Sequence, residues 1–92
     1  MDNSKQERLK RHKELLYYTD EKLLLLIFST LISSDNNNTK EKIEMHLRYF
    51  SEIREVITSD NFNKELLDCD YEWLLQKLDE FESILNKDLS KL

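Results

Sequence analysis

Chemistry in this chain would have to come from two histidines, one cysteine and 19 carboxylates. Their spacing gives them little to work with. A metal site on a helix needs ligands three or four residues apart, where side chains share a face. Neither His12 nor His46 has an acid or a histidine at that distance. Glu44 lies two residues from His46, on another side of any helix, and no Glu-x-x-His pair of the di-iron kind is present. Asp35, Asn37 and Thr39 have the spacing that opens a calcium loop. The pattern then fails at Lys40, where glycine is needed, and at His46, where glutamate is needed. Cys69 stands between Asp68 and Asp70, and two neighbouring carboxylates disfavour a thiolate. Serines and threonines gather where helices are capped, and Asp79, Glu80 and Glu82 read as a solvated face. The sequence therefore predicts no catalytic centre, no cofactor and no metal.

Binding is what remains. Charge is unevenly distributed: between Ser4 and Lys13, Lys5, Arg8, Lys10, Arg11 and Lys13 face only Glu7, while the stretch from Asp60 to Leu92 is acidic. Lys5, Arg8 and Arg11 recur every three residues and could line a helix toward phosphates. Against a nucleic-acid partner stands the net charge of -5, since such domains are ordinarily basic. Membrane association is not expected, because the basic stretch has no broad apolar face beside it. The acidic end pairs Asp68, Asp70 and Glu72 with Trp73, a residue type that anchors interfaces. These four residues predict a surface that steers in another protein, with Lys5, Arg8 and Arg11 as the nucleic-acid alternative.

Positioning such residues falls to helices. The composition holds neither glycine nor proline, where average usage would give about six and about five. That excludes phosphate loops, dinucleotide fingerprints and nucleophile elbows, and it disfavours hairpin-rich β folds. The spacing predicts an all-α antiparallel bundle of four helices over 4–17, 20–33, 39–57 and 61–88, the last splitting near 68–70. Ser4 with Glu7, and Asn38 with Glu41, have the spacing of capping boxes. Thr19 or Asp20 caps the second helix. Residues 23–28 are apolar without a break, so the second helix is either central in the core or has one side in an interface. Leu67, Tyr71, Leu74, Leu78, Phe81 and Leu85 repeat at 4-3-4-3-4 spacing, the seam of a bundle helix or of a dimer.

One domain over 1–92 follows, with 1–13 a loosely docked basic arm. The apolar run at 23–28 is too short to span a bilayer. A lone cysteine and the lack of an apolar run ahead of Leu15 predict a cytoplasmic protein without a secretory signal. The expectation is a small non-catalytic protein that binds another protein stoichiometrically, as a regulator, inhibitor or immunity-type factor, and also self-associates as a homodimer.

Overall fold

The computed structural model describes residues 3–33 and 39–92. The fold is all-α: α1 (Asn3–Tyr17), α2 (Glu21–Ser33), α3 (Lys40–Ile57) and α4 (Tyr71–Ser90), with a single 3₁₀ turn at Lys64–Leu66 ahead of α4. The starts of α2, α3 and α4 are each set by an oxygen-bearing side chain that satisfies an orphan N–H. Asp20 Oδ1 accepts from Leu23 N at 2.8 Å, Thr39 Oγ1 from Lys42 N at 3.3 Å, and Asp70 Oδ2 from Trp73 N at 2.9 Å. Thr39, not Asn38, is thus the cap of α3; Asn38 and the Asn-rich run before it lie outside the described residues. α1 opens at Asn3, which places Ser4 inside its first turn instead of at the cap.

No described residue has positive φ. The chain ends α3 with Thr58 in right-handed backbone, φ -96° and ψ -1°. The Thr58 hydroxyl donates to the Arg54 carbonyl at 2.8 Å. Oxygen-bearing side chains thus replace the left-handed glycine that commonly closes a helix.

α3 is the centre of the bundle. It runs antiparallel to α4, because Ile57 meets Tyr71 while Phe50 stacks on Phe81. α2 lies against both: the Phe28 ring meets Phe50 and Phe81 edge-on at 5.2 and 5.8 Å. Its first turn borders Asp68, Cys69 and Asp70, so α2 runs in the same sense as α4. α1 lies across α3 from Lys5 beside Glu55 to Tyr17, whose ring stacks on Phe62 and whose hydroxyl accepts from Asn63 N at 2.9 Å. Leu16, Leu24, Phe28, Ile43, Phe50, Ile53, Leu74, Leu78 and Leu85 form the sealed core. Burial of such side chains contributes about 1.5–3 kcal/mol each, as an upper figure.

The split in the last helix is wider than a kink. Leu67 fits the heptad register of α4 but has extended backbone, φ -69° and ψ 128°. The helix begins only after Asp70, whose carboxylate competes for the first free N–H groups. Among the described residues, no helix is long and apolar enough to cross a membrane.

Candidate functional site

The acidic end is assembled from two chain segments. Asp20, Glu21 and Lys22 at the start of α2 share a shallow depression with Asp68, Cys69 and Asp70, just ahead of α4. Two of the carboxylates, Asp20 and Asp70, are committed to capping. Asp68 and Glu72 are exposed, and Glu72 follows in the first turn of α4. Helix N-termini carry partial positive charge, which stabilises carboxylates placed there. Five acids against Lys22 still leave this rim negative. The Cys69 thiol lies beneath it, buried and free. Its pKa is pushed up to about 11, first by burial and then by Glu21, Asp70 and Asp68. A thiol held protonated in this way does not act as a nucleophile.

Trp73 is half-buried, with its ring packed at the edge of the core. Four further aromatics, Tyr17, Tyr18, Tyr49 and Phe62, are for the most part covered as well. Phe62 is buried, Tyr17 and Tyr49 are half-buried against the core, and Tyr18 alone of that group stands out, 79% exposed. The larger apolar surface lies on α2. Leu24 and Phe28 are sealed, while Leu23 and Leu26 on the other side are 48% and 62% exposed and Leu25, beside Phe28 around the helix, is 39% exposed. The unbroken apolar run is therefore not central in the core: α2 buries one side and shows the other.

At the opposite edge, the cations chosen from the first helix all meet carboxylates. Lys5 Nζ is 3.4 Å from Glu55, and Arg11 is 3.7 Å from Glu7 on its own helix. Arg8 grips Glu52 through Nε at 3.2 Å to both oxygens and through Nη2 at 2.9 Å. His12 Nε2 completes the cluster at 3.1 Å from the other oxygen of Glu52, with its ring edge-on to Tyr49 at 5.0 Å. The Glu52 side chain is only 8% exposed. The Arg8 hydrogen bonds hold its carboxyl below the ordinary value, opposed by burial and assisted by His12. A carboxylate that fills the fork of Arg8 takes the place a phosphate would occupy.

Sequence reasoning missed this cluster. Its signal was present: Met45, Tyr49 and Val56 form a stripe at helical spacing, and Glu52 falls on that stripe between Tyr49 and Val56. A carboxylate on an apolar stripe calls for a cation from a neighbouring element. Arg54 bridges α3 to α4, with Nη2 2.6 Å from Asp79 and hydrogen-bonded to Glu82.

Among the described residues, no three His, Cys, Asp or Glu side chains are grouped so as to hold a metal ion. Comparison with known proteins leaves the geometry to speak for itself: no family model matches the chain, and neither a curated protein nor a solved structure matches it.

Proposed function

We propose that this protein works by binding another protein stoichiometrically, without catalysis, as a regulator, inhibitor or immunity-type factor. The observation that carries the reading is the outward side of α2, where Leu23 and Leu26 stay in water although the same helix seals Leu24 and Phe28. Single exposed leucines are ordinary on a protein surface; Leu23 and Leu26, three residues apart on one helix face, favour a partner that covers them. Asp68, Asp70 and Glu72 give that partner an electrostatic guide, and Trp73 stands at the edge of the same end. The same face could meet a second copy of the chain, which would make the protein a homodimer. The buried, protonated Cys69 is compatible with a reducing cytoplasm.

A nucleic-acid role would need Lys5, Arg8 and Arg11 to exchange the carboxylates they hold for phosphates. Titrating DNA and RNA at low and moderate salt separates the classes, since phosphate binding falls steeply with salt. The direct test is capture from the native host with wild-type protein and with Leu23→Glu/Leu26→Glu. A protein partner retained at one-to-one stoichiometry by the first and lost by the second supports the reading. Equal capture by both removes its carrying observation.

A further inference from the structure

We propose that the cleft between α1 and the end of α3 binds a small phosphate monoester. Lys10 and Lys13 hold its phosphate, and its carbon body lies on Leu9 and Val56. The cleft shares no residue with α2 or α4, so the proposal stands apart from the protein-binding reading.

Gln6, Leu9, Lys10 and Lys13 fall within two turns on one side of α1. Across from them are Glu55 and Val56 in the last turn of α3, with Ser59 and Asn61 in the connection that follows. Together they line an open-sided cleft of about 340 Å³. Sites for small molecules run from roughly 300 to 1,000 Å³, so this one suits a compact ligand.

The lining is rich in donors and short of acceptors. Along α1, Lys5 holds Glu55, Arg8 holds Glu52 and Arg11 holds Glu7. Among the described residues, Lys10 and Lys13 hold no carboxylate, although Lys13 is half-buried. Lys10 also borders Glu7 and Glu14 on the outer side of α1, but neither acid comes within ion-pair distance of it. The carbonyls at the end of α3 are already engaged. Arg54 O accepts from Thr58 N and Oγ1, Val56 O from Ser59 N, and Ile57 O from the Tyr71 hydroxyl. Glu55 is the one acid in the lining, and Lys5 lies 3.4 Å from it. The Asn61 side-chain carbonyl accepts from the Ser59 hydroxyl, which leaves the Asn61 amide N–H groups to donate.

Two ammonium groups, each with three N–H donors, call for a ligand group with more than one negative charge and several oxygens. A phosphate monoester carries about -1.5 to -2 at pH 7 and three acceptor oxygens. A sulfate ester or a carboxylate brings a single charge and leaves one lysine unmatched. Leu9 and Val56 add apolar surface that a carbon body covers and bare phosphate does not. A nucleic-acid strand fits less well, because phosphates on either side would run toward Glu55 or toward Glu7 and Glu14.

The test titrates the intact, isotope-labelled protein with phenyl phosphate, phenyl sulfate and inorganic phosphate at low salt. Binding is read from the amide resonances of Gln6, Lys10, Lys13, Ser59 and Asn61. Phenyl phosphate is expected to bind at least about tenfold more tightly than either of the others, a difference of about 1.4 kcal/mol. It should also raise the melting temperature, since a ligand that bridges α1 and α3 favours the folded state. Lys10→Gln/Lys13→Gln should weaken phenyl phosphate by about tenfold or more, with helicity by circular dichroism unchanged because neither lysine holds a partner. Lys22→Gln/Lys87→Gln removes the same charge from α2 and α4 and should leave binding within about twofold of wild type. Equal losses in the two double variants overturn the proposal, since net charge then explains the binding. Equal binding of phenyl phosphate and phenyl sulfate overturns it, and so does equal binding of phenyl phosphate and inorganic phosphate. A short thymidine oligonucleotide that shifts the same amides at lower concentration than phenyl phosphate also overturns it, because a strand then owns the cleft.

Discussion

Replacing Arg8 by methionine isolates the cluster that ties α1 to α3. The substitution keeps an unbranched side chain and removes the cation, leaving Glu52 buried with His12 as its remaining partner. Removing one member of a fully buried ion pair costs about 3–5 kcal/mol. Two features reduce that figure here. The Arg8 side chain is 35% exposed, so water screens the lost attraction. His12 also continues to hydrogen-bond one oxygen. A cost of about 2 kcal/mol follows, the range of lost hydrogen bonds to a charged group. At about 4–8 °C per kcal/mol for a domain of this size, the melting temperature should fall by about 8–16 °C. Adding Glu52→Leu removes the stranded charge, so the double variant should recover to within about 1 kcal/mol of wild type. Urea titrations of the four proteins at one pH complete the cycle. The pH dependence supplies a second reading. Because the Glu52 carboxyl sits below its ordinary value of 4.5, its contribution is present above that pH and lost as pH falls through the folded-state value. Without Arg8, the acid limb of the stability curve should move to higher pH. A loss below about 0.5 kcal/mol for Arg8→Met, typical of an exposed surface pair, would refute the reasoning.

Two further expectations concern buried groups away from this cluster. His46 is 9% exposed and its pKa is lowered, first by burial and then by Lys42. The unfolded chain takes up the proton first, so stability from the neutral ring is intact above pH 6.5 and declines below it; His46→Leu should flatten the slope of urea stability between about pH 7 and pH 5. Cys69 should resist a thiol reagent at mildly alkaline pH in the folded protein and react promptly in denaturant, since its thiol is pushed up to about 11 and is buried; equal rates in the two states would contradict that placement.

The helical class and the ends of the elements were legible where one side chain decides them. Asp20 and the apolar run at 23–28 locate α2, and the row Tyr71, Leu74, Leu78, Phe81 and Leu85 locates α4. Leu67 misled because heptad spacing continues through it. Periodicity records which residues face inward, and an extended residue can face inward too. The partners of Glu52 were harder to read, because Arg8 and His12 lie more than 39 residues away in sequence and only the crossing of α1 on α3 unites them. Whether the run at 23–28 would be enclosed was a question of volume: α3 and α4 fill the centre with Phe50, Phe81, Leu74 and Leu78, and α2 is left on the outside. Pattern alone carries no such information. The rim of Asp20 and Glu21 against Asp68 and Asp70 likewise depends on α2 and α4 running in the same sense, which a short connection between α1 and α2 does not specify.

The right-handed and extended bends between the helices have a consequence for how this chain can vary. Among the described residues, every bend uses backbone states with negative φ that need no glycine, so no described position demands a particular residue for its dihedral angles alone. Identity there is enforced by a single oxygen atom at a cap, and serine, threonine, aspartate and asparagine each supply one. Lineages of this fold are thus free to drift at their corners without leaving the fixed landmarks by which helical families are ordinarily aligned.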